Sequence, residues 1–220
     1  MKLTLSGICK SYRNKVLDGI SLTAEEGECI ALLGSNGSGK STLLSILAGV
    51  VKPDSGSFNY GGRELFSDKK YLSKAVGYVP QNNPLIEELT SYDNLRLWYS
   101  ARELEASLSE GVLSFLEIKD FLKTPVCELS GGMKKRLSIA VSLSSSPEIL
   151  LLDEPSAALD VVCKKKIFDY YKYFTKNHGI IITATHDVSE ISECTKCFIL
   201  KNGILVPFAF KTMEQLAEAL

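Results

Sequence analysis

The most informative stretch of the chain is Cys29-Ile30-Ala31-Leu32-Leu33-Gly34-Ser35-Asn36-Gly37-Ser38-Gly39-Lys40-Ser41-Thr42. Its first five residues are continuously apolar, which is typical of a strand buried on both faces. The rest matches the pattern G-x-x-x-x-G-K-[ST] and leads into a predicted helix from about Ser41 to Ala48. Glycines let the backbone curl so that successive N–H groups point at phosphate oxygens, and the helix N-terminus adds partial positive charge. The stretch therefore predicts a phosphate-binding loop formed by Gly34, Ser35, Asn36, Gly37, Ser38, Gly39, Lys40, Ser41 and Thr42.

Two side chains of this loop have predicted roles of their own. Lys40 is expected to reach the β- and γ-phosphates of a nucleotide, and the Ser41 hydroxyl is expected to ligate Mg²⁺. Such a loop is shared by kinases, GTPases and motors, so it defines a superfamily and leaves the function open. Other motifs must decide among these classes.

A second phosphate-binding feature is predicted at Leu129-Ser130-Gly131-Gly132-Met133. This segment precedes a helical run from Lys134 to Leu143, so Ser130 stands where an N-cap residue would, and Gly131 and Gly132 expose the backbone beyond it. Taken alone, the motif could be an ordinary capped helix with a flexible entry. One nucleotide does not need two such cradles from one protomer, which suggests that the second serves a neighbouring protomer.

A pair of carboxylates ends the apolar run Ile149-Leu150-Leu151-Leu152-Asp153-Glu154-Pro155. The strand would place Asp153 beside the Mg²⁺ site, where it can hold the ion through water. Glu154, the next residue, can then orient the attacking water. The simpler alternative is a strand terminator before a turn.

The order of these motifs resembles the ATP-binding-cassette (ABC) ATPase family along essentially the whole chain. The resemblance implies that Tyr12 stacks on adenine, and that Gln81 touches Mg²⁺ and relays to a membrane partner. It also implies that the segment 156–160, ending at Asp160 near the nucleotide, crosses a dimer interface. His186 corresponds to the switch histidine that contacts the γ-phosphate. Taken alone, Tyr12 could instead be an ordinary packing residue, Gln81 a polar loop residue and His186 a structural residue.

One position departs from the family pattern. Where the family usually has Gln after the signature glycines, this chain has Met133. Because the expected phosphate contacts come from Ser130 and backbone N–H groups, Met133 is expected to tune the interface without abolishing hydrolysis. The predicted catalytic residues, Lys40, Gln81, Glu154 and His186, are all present, which argues against a non-hydrolysing copy.

The pattern of predicted elements gives the fold class. Short β runs fill the first third of the chain, and helical periodicity covers residues 84–145, where Leu95, Trp98, Ala101 and Arg102 fall at helical spacings. Alternating strands and helices follow. We expect a single α/β domain over residues 1–220: a P-loop NTPase core with a mixed, mainly parallel sheet, an N-terminal antiparallel β subdomain and an inserted α-helical subdomain. A hairpin turn is predicted at Lys201-Asn202-Gly203, and a capping box from Thr212 to Gln215.

Composition and charge indicate where in the cell the chain works and which partners it lacks. The formal net charge of −1 and scattered basic residues give no sign of a nucleic-acid partner. No run reaches the roughly 18 to 20 apolar residues that cross a bilayer, and the N-terminus lacks the apolar core of a signal peptide. The chain is thus expected in the cytoplasm, and it would be peripheral to the inner face of the membrane only through a partner. In a cytosolic chain the six cysteines are expected to be reduced thiols. The lone Cys194-x-x-Cys197 is not expected to bind zinc, since the sequence has no second ligand pair.

The leading hypothesis from the resemblance is an ATP-hydrolysing subunit that binds ATP and Mg²⁺ and powers a separately encoded integral membrane transporter subunit. It would pair head-to-tail with a second nucleotide-binding subunit, identical or not. The segment with Leu95, Leu97 and Trp98 is the candidate docking surface, with an ordinary amphipathic helix as the alternative. The stretch 88–95 resembles exporter subunits more than importer subunits. Two other classes stay open: a soluble ABC ATPase and a non-hydrolysing ATP-dependent regulatory module.

Overall fold

Two β-sheets organise the computed structural model, which describes residues 1–157, 159–209 and 215. The first sheet is antiparallel, with strand order β2-β1-β4-β5, and the second has the order β10-β9-β3-β8-β7-β6. In the second sheet every neighbouring pair is parallel except the β9–β10 hairpin. The strands are β1 (Lys2–Ser11), β2 (Lys15–Glu25), β3 (Cys29–Leu33), β4 (Ser55–Tyr60), β5 (Arg63–Glu64), β6 (Val76–Val79), β7 (Ile149–Asp153), β8 (Ile180–Ala184), β9 (Lys196–Lys201) and β10 (Ile204–Phe208).

Helices cover both faces of the second sheet and fill the long connection between β6 and β7. They are α1 (Lys40–Leu47), α2 (Lys69–Ala75), α3 (Ser91–Arg96), α4 (Ala101–Ser109), α5 (Val112–Phe115), α6 (Gly131–Ser142), α7 (Val161–Lys176) and α8 (Val188–Ile191). Two short 3₁₀ turns, Ile118–Phe121 and Val126–Glu128, lie between α5 and α6. The expected α/β fold, with an antiparallel sheet, a mainly parallel sheet and inserted helices, is confirmed.

The core is divided by strands β3, β7 and β8, which are buried at every position. Successive side chains of a strand point to opposite faces. Ile30 and Leu151 therefore pack with α1 and the antiparallel sheet. Leu150 and Ile181 pack on the other face with α6, α7 and the inserted helices. Burial on both faces explains why these strands have no polar alternation in the sequence.

The inserted helices differ from the expectation at one point. The helical spacing of Leu95, Trp98, Ala101 and Arg102 does not correspond to one continuous helix, because α3 ends at Arg96 and α4 begins at Ala101. Ser100 starts α4 with a capping box: its side chain accepts from the Glu103 N–H while the Glu103 carboxylate accepts from the Ser100 N–H. Leu95 is fully buried, so it cannot belong to a docking surface, whereas Leu97 and Trp98 in the break are exposed.

The C-terminal hairpin forms as predicted, with Lys201 paired to Ile204 and the turn at Asn202 and Gly203. The predicted capping box from Thr212 to Gln215 involves residues outside the described part of the chain. Within the described ranges, no helix is long and apolar enough to cross a membrane.

Candidate nucleotide-binding and hydrolysis site

The phosphate-binding loop joins the end of β3 to the start of α1 and depends on glycine at tightly packed positions. Gly39, with φ of +106°, precedes α1, and a Cβ there would lie 3.0 Å from Val16 Cγ1. At Gly34, with φ of +152°, a Cβ would lie 2.6 Å from the Leu200 carbonyl oxygen and from Ser38 Oγ. Side chains are strained at such φ values, so the sequence can form this loop only with glycine here.

The loop holds its own lysine and leaves a hydroxyl group without a partner. Lys40 is buried, and its Nζ donates to the carbonyl oxygens of Gly34 at 2.6 Å and Ser35 at 3.1 Å. Burial lowers the pKa of the Lys40 ammonium group, while the charges of Glu154 and Asp153 oppose that shift. Ser38 Oγ is buried with no hydrogen-bond partner among the described residues. An unpaired buried hydroxyl in such a loop can donate a hydrogen bond to a bound anion.

A carboxylate and a hydroxyl meet beneath the loop. Asp153, at the end of β7, is 3% exposed. Burial raises the pKa of the Asp153 carboxyl group, and interaction with the Ser41 hydroxyl and the charge of Lys40 oppose this effect. Gln81 lines the same cleft as Ser41. The Asp153 carboxylate, the Ser41 hydroxyl and the side-chain carbonyl oxygen of Gln81 therefore offer an all-oxygen donor set. Such a set fits Mg²⁺, which takes one or two protein ligands plus phosphate and water oxygens.

Glu154 is the residue on which the neighbouring segments converge. Gln81 Nε2 donates to its Oε2 at 3.2 Å, and His186 Nδ1 lies 3.5 Å from its Oε1. These residues follow β7, β6 and β8, whose carboxyl ends meet at one edge of the parallel sheet. Glu154 also has a φ of +47°, an uncommon conformation for a residue with a side chain. Strained backbone of this kind is concentrated at functional sites.

A cleft of about 440 Å³ brings most of the predicted residues together. Asp153 is buried and does not line it, whereas Tyr12, which does, is 61% exposed. The predicted residues that line the cleft are Tyr12, Asn36, Gly37, Gly39, Lys40, Ser41, Thr42, Gln81, Glu154 and His186. The open ring of Tyr12 could stack on a base, and the loop at the other end could hold phosphates.

The predicted second phosphate cradle does not line this cleft. Ser130 is exposed and caps α6 by accepting from the Met133 N–H at 3.3 Å. Gly132 packs against α7, since a Cβ there would lie 2.4 Å from Cys163 Sγ. Asp160 is exposed and caps α7 by accepting from the Cys163 N–H at 2.8 Å. Ser130, Gly131, Gly132 and Asp160 thus belong to the adjoining N-termini of α6 and α7, and their nucleotide roles stay predictions.

Lys135, which no sequence pattern indicated, links α6 to the segment after β6. It is 4% exposed, and its Nζ donates to the carbonyl oxygens of Pro80 at 3.3 Å and Gln81 at 3.2 Å. Burial lowers the pKa of the Lys135 ammonium group. Lysine is almost never fully buried unless it is paired, so the sequence gave no reason to expect a buried side chain here. The one local indication of a functional role was that Lys135 lies three residues after Gly132.

The cysteines form no metal centre in the described residues. No group of three or more His, Cys, Asp or Glu side chains there is arranged to hold an ion. All six cysteines are free, and Cys194 Sγ lies 3.0 Å from Cys29 Sγ.

Comparisons with known proteins agree with this geometry. The family model described as ABC transporter matches residues 17–157. The Nod factor export ATP-binding protein I of Rhizobium sp. (strain N33) is 33% identical over 208 residues, which are 91% of this chain and 68% of that protein. The linearmycin resistance ATP-binding protein LnrL of Bacillus subtilis (strain 168) is 32% identical over 216 residues, 96% of this chain and 70% of that protein. Other relatives are longer, and the chain spans 22% of ABC transporter A family member 11 of Dictyostelium discoideum.

A solved structure extends the similarity to three dimensions. The ATP-binding cassette MJ0796, in a dimeric post-hydrolysis state bound to ADP and Pi, has a TM-score of 0.83 and 28% identity, covering 96% of this chain and 100% of that chain. The fold and site define an ATP-binding cassette, and the chain belongs to the ABC transporter family. It binds nucleotide and is an ATPase.

Proposed function

We propose that this chain hydrolyses ATP with Mg²⁺ as one half of a head-to-tail pair of cassettes and powers a separately encoded integral membrane transporter subunit. The observation that supports it best is the convergence of Gln81 and His186 on Glu154 at the mouth of the loop cleft. The exposed N-terminus of α6 lies outside that cleft, where it is available to the nucleotide of a second cassette. Each pair would then contain two composite sites.

Within a site, different residues of this chain would bind the nucleotide, hold the metal ion and carry out hydrolysis. The loop N–H groups and Lys40 bind the phosphates, and Tyr12 stacks on the base. Ser41, Asp153 and Gln81 would hold Mg²⁺, which neutralises charge on the β- and γ-phosphate oxygens when bound. Glu154 accepts a proton from the attacking water, and His186 contacts the γ-phosphate. Ser130, Gly131 and Gly132 of the second cassette donate to the same nucleotide, with Asp160 beside them.

The membrane partner would contact the inserted helices. Leu97 and Trp98 occupy the break between α3 and α4, and the Trp98 side chain is 62% exposed. Large exposed apolar side chains grouped on one surface are typical of an interaction site. The chain would then sit at the cytoplasmic face of the membrane. The names of relatives concerned with Nod factor export and linearmycin resistance favour export as the direction.

Glu154→Gln tests the hydrolytic role. The amide keeps the shape and removes the basicity, so ATP should bind with unchanged affinity while phosphate release falls roughly 10²- to 10⁴-fold. Glu105→Gln, an exposed position on α4, is the matched control and should hydrolyse ATP like the unaltered protein. Wild-type turnover in Glu154→Gln would remove Glu154 from this role.

A further inference from the structure

Glu190 is a buried carboxylate outside the predicted site that is surrounded by hydroxyl groups. Its side chain, on the short helix α8, is 0% exposed. Oε1 accepts from Thr183 Oγ1 at 2.5 Å and Tyr171 OH at 2.8 Å, and Oε2 accepts from Ser156 Oγ at 2.5 Å and Thr185 Oγ1 at 3.0 Å. Four hydroxyl donors satisfy an acceptor-only group completely, which is what a buried glutamate requires.

The two oxygens of Glu190 are bound to different parts of the molecule. Oε1 is anchored to the body of the fold through β8 and α7. Oε2 is bound to two loop residues, Ser156, which follows Glu154 by two positions, and Thr185, which immediately precedes His186. The carboxylate therefore connects the loop that carries the proposed base to the turn that carries the proposed switch histidine.

The hydrogen bonds from Ser156 and Thr185 to Glu190 restrain the backbone next to Glu154 and His186. Glu154 has a positive φ, and such a conformation persists only where its surroundings hold it. Thr185 Oγ1 also accepts from the Asp187 N–H at 3.0 Å, so the turn that contains His186 is fixed at both ends. Ser156 and Thr185 are 1% and 2% exposed, and water therefore cannot readily replace a lost hydroxyl.

We propose that Glu190 is a positioning residue for hydrolysis: by binding Ser156 and Thr185 through one oxygen, it sets the distance between Glu154 and His186. This inference rests on the proposed roles of those two residues. Glu190 does not itself line the cleft that contains Glu154 and His186, so it acts through its neighbours. Replacing Glu190 removes the acceptor of four buried hydroxyl groups and risks unfolding, so the test uses the donors.

The variants separate the two oxygens. Ser156→Ala and Thr185→Val each remove one donor to Oε2, and Thr185→Ser restores the hydroxyl at that position. Tyr171→Phe removes a donor to Oε1 without touching either loop and is the matched control. For each protein the measurements are ATP affinity, kcat and thermal stability.

We expect Ser156→Ala and Thr185→Val to bind ATP with unchanged affinity. Their kcat should fall roughly tenfold or more, because a small displacement of reacting groups strongly lowers the rate of the chemical step. Thr185→Ser should recover most of that loss, and Tyr171→Phe should lose stability while keeping kcat. The double variant Ser156→Ala/Thr185→Val should lose less than the product of the single effects, since both act through Oε2.

The opposite pattern would overturn the inference. If Ser156→Ala and Thr185→Val lose stability to the same extent as Tyr171→Phe and retain full kcat, Glu190 serves folding alone. Failure of the proposed function would be distinguishable, because the unaltered protein itself would then release no phosphate from ATP.

Discussion

At the scale of single residues, Lys40 illustrates how the loop is prepared for its ligand. Its ammonium group is held by the carbonyl oxygens of Gly34 and Ser35, inside the curve where phosphates are expected to bind. Binding would require little reorganisation, because the positive charge is already in place. A pre-positioned charge contributes to affinity without the entropy of ordering a long side chain.

Lys40→Ala should weaken ATP binding itself. A hydrogen bond to a charged group contributes about 1.5–3 kcal/mol, which corresponds to roughly a ten- to hundredfold rise in Kd. Lys69→Ala, an exposed lysine at the start of α2, is the control and should bind ATP normally. Nucleotide titration decides the matter: normal ATP binding combined with lost turnover in Lys40→Ala would contradict the assigned role.

The residues that sequence could identify are those with a motif around them. Lys40, Glu154 and His186 were found because glycines, an apolar strand or the order of motifs marked their positions. Lys135 and Glu190 were missed because charged side chains are usually exposed, and each has a partner that is distant in the chain: Gln81 lies 54 residues from Lys135, and Ser156 lies 34 residues from Glu190. Only the folded backbone brings such carbonyl and hydroxyl groups to a buried charge.

At the scale of elements, α6 connects two parts of the proposed mechanism. Its N-terminus presents Ser130 to the outside, while Lys135, one turn further on, holds the backbone at Pro80 and Gln81. A shift of this helix would therefore be transmitted to Gln81 and from there to Glu154. The link is mechanical and requires only the hydrogen bonds of one buried ammonium group.

Lys135→Met should break that link while keeping the side-chain length. Two carbonyl oxygens would lose their donor, so we expect a stability loss of about 1–3 kcal/mol and a lower kcat. Lys134→Met is the matched control, since its exposed ion pair with Glu87 should contribute less than about 1 kcal/mol. Unfolding curves and phosphate release measure both effects. Equal behaviour of the two variants would argue against a role for Lys135.

The boundaries of the elements show what periodicity can and cannot predict. The sequence pattern predicts strands from Ile149 to Leu152 and from Ile180 to Ala184 and a helix from about Val161 to Lys176. The bounds of β7, β8 and α7 agree to within one residue, because each element combines a consistent pattern with clear ends. The break after α3 was not predicted, since helical spacing continues by coincidence across Leu97 and Trp98. The Ser100-x-x-Glu103 capping box was the local signal for a new helix start.

At the scale of the whole molecule, the phosphate-binding loop and the Ser130-Gly131-Gly132 segment belong to different surfaces. The first lines the cleft at the carboxyl edge of the parallel sheet, and the second caps α6 outside it. The sequence predicted both segments and the α/β fold, whereas the order of strands depends on long-range pairing that no local pattern encodes. A complete site would require two copies arranged about a two-fold axis.

Mixing two inactive variants tests this shared site most directly. Lys40→Ala lacks the phosphate-binding lysine, and Ser130→Arg obstructs the segment offered to the neighbour, so each should be inactive alone. Ser130→Arg also removes a helix cap, which costs about 1 kcal/mol, and Ser100→Ala, which removes the cap of α4, controls for that loss.

In a random equal mixture about half of the dimers would be mixed, and each mixed dimer would contain one site with an intact Lys40 and an intact Ser130. About a quarter of all sites should then be whole, and ATP hydrolysis should reappear only under conditions that allow subunits to exchange. The measurement is phosphate release from the mixture, with exchange followed by two distinguishable labels. Recovery of activity in proportion to mixed dimers is the predicted result. No recovery while mixed dimers form, or full activity of Ser130→Arg alone, would contradict the shared site.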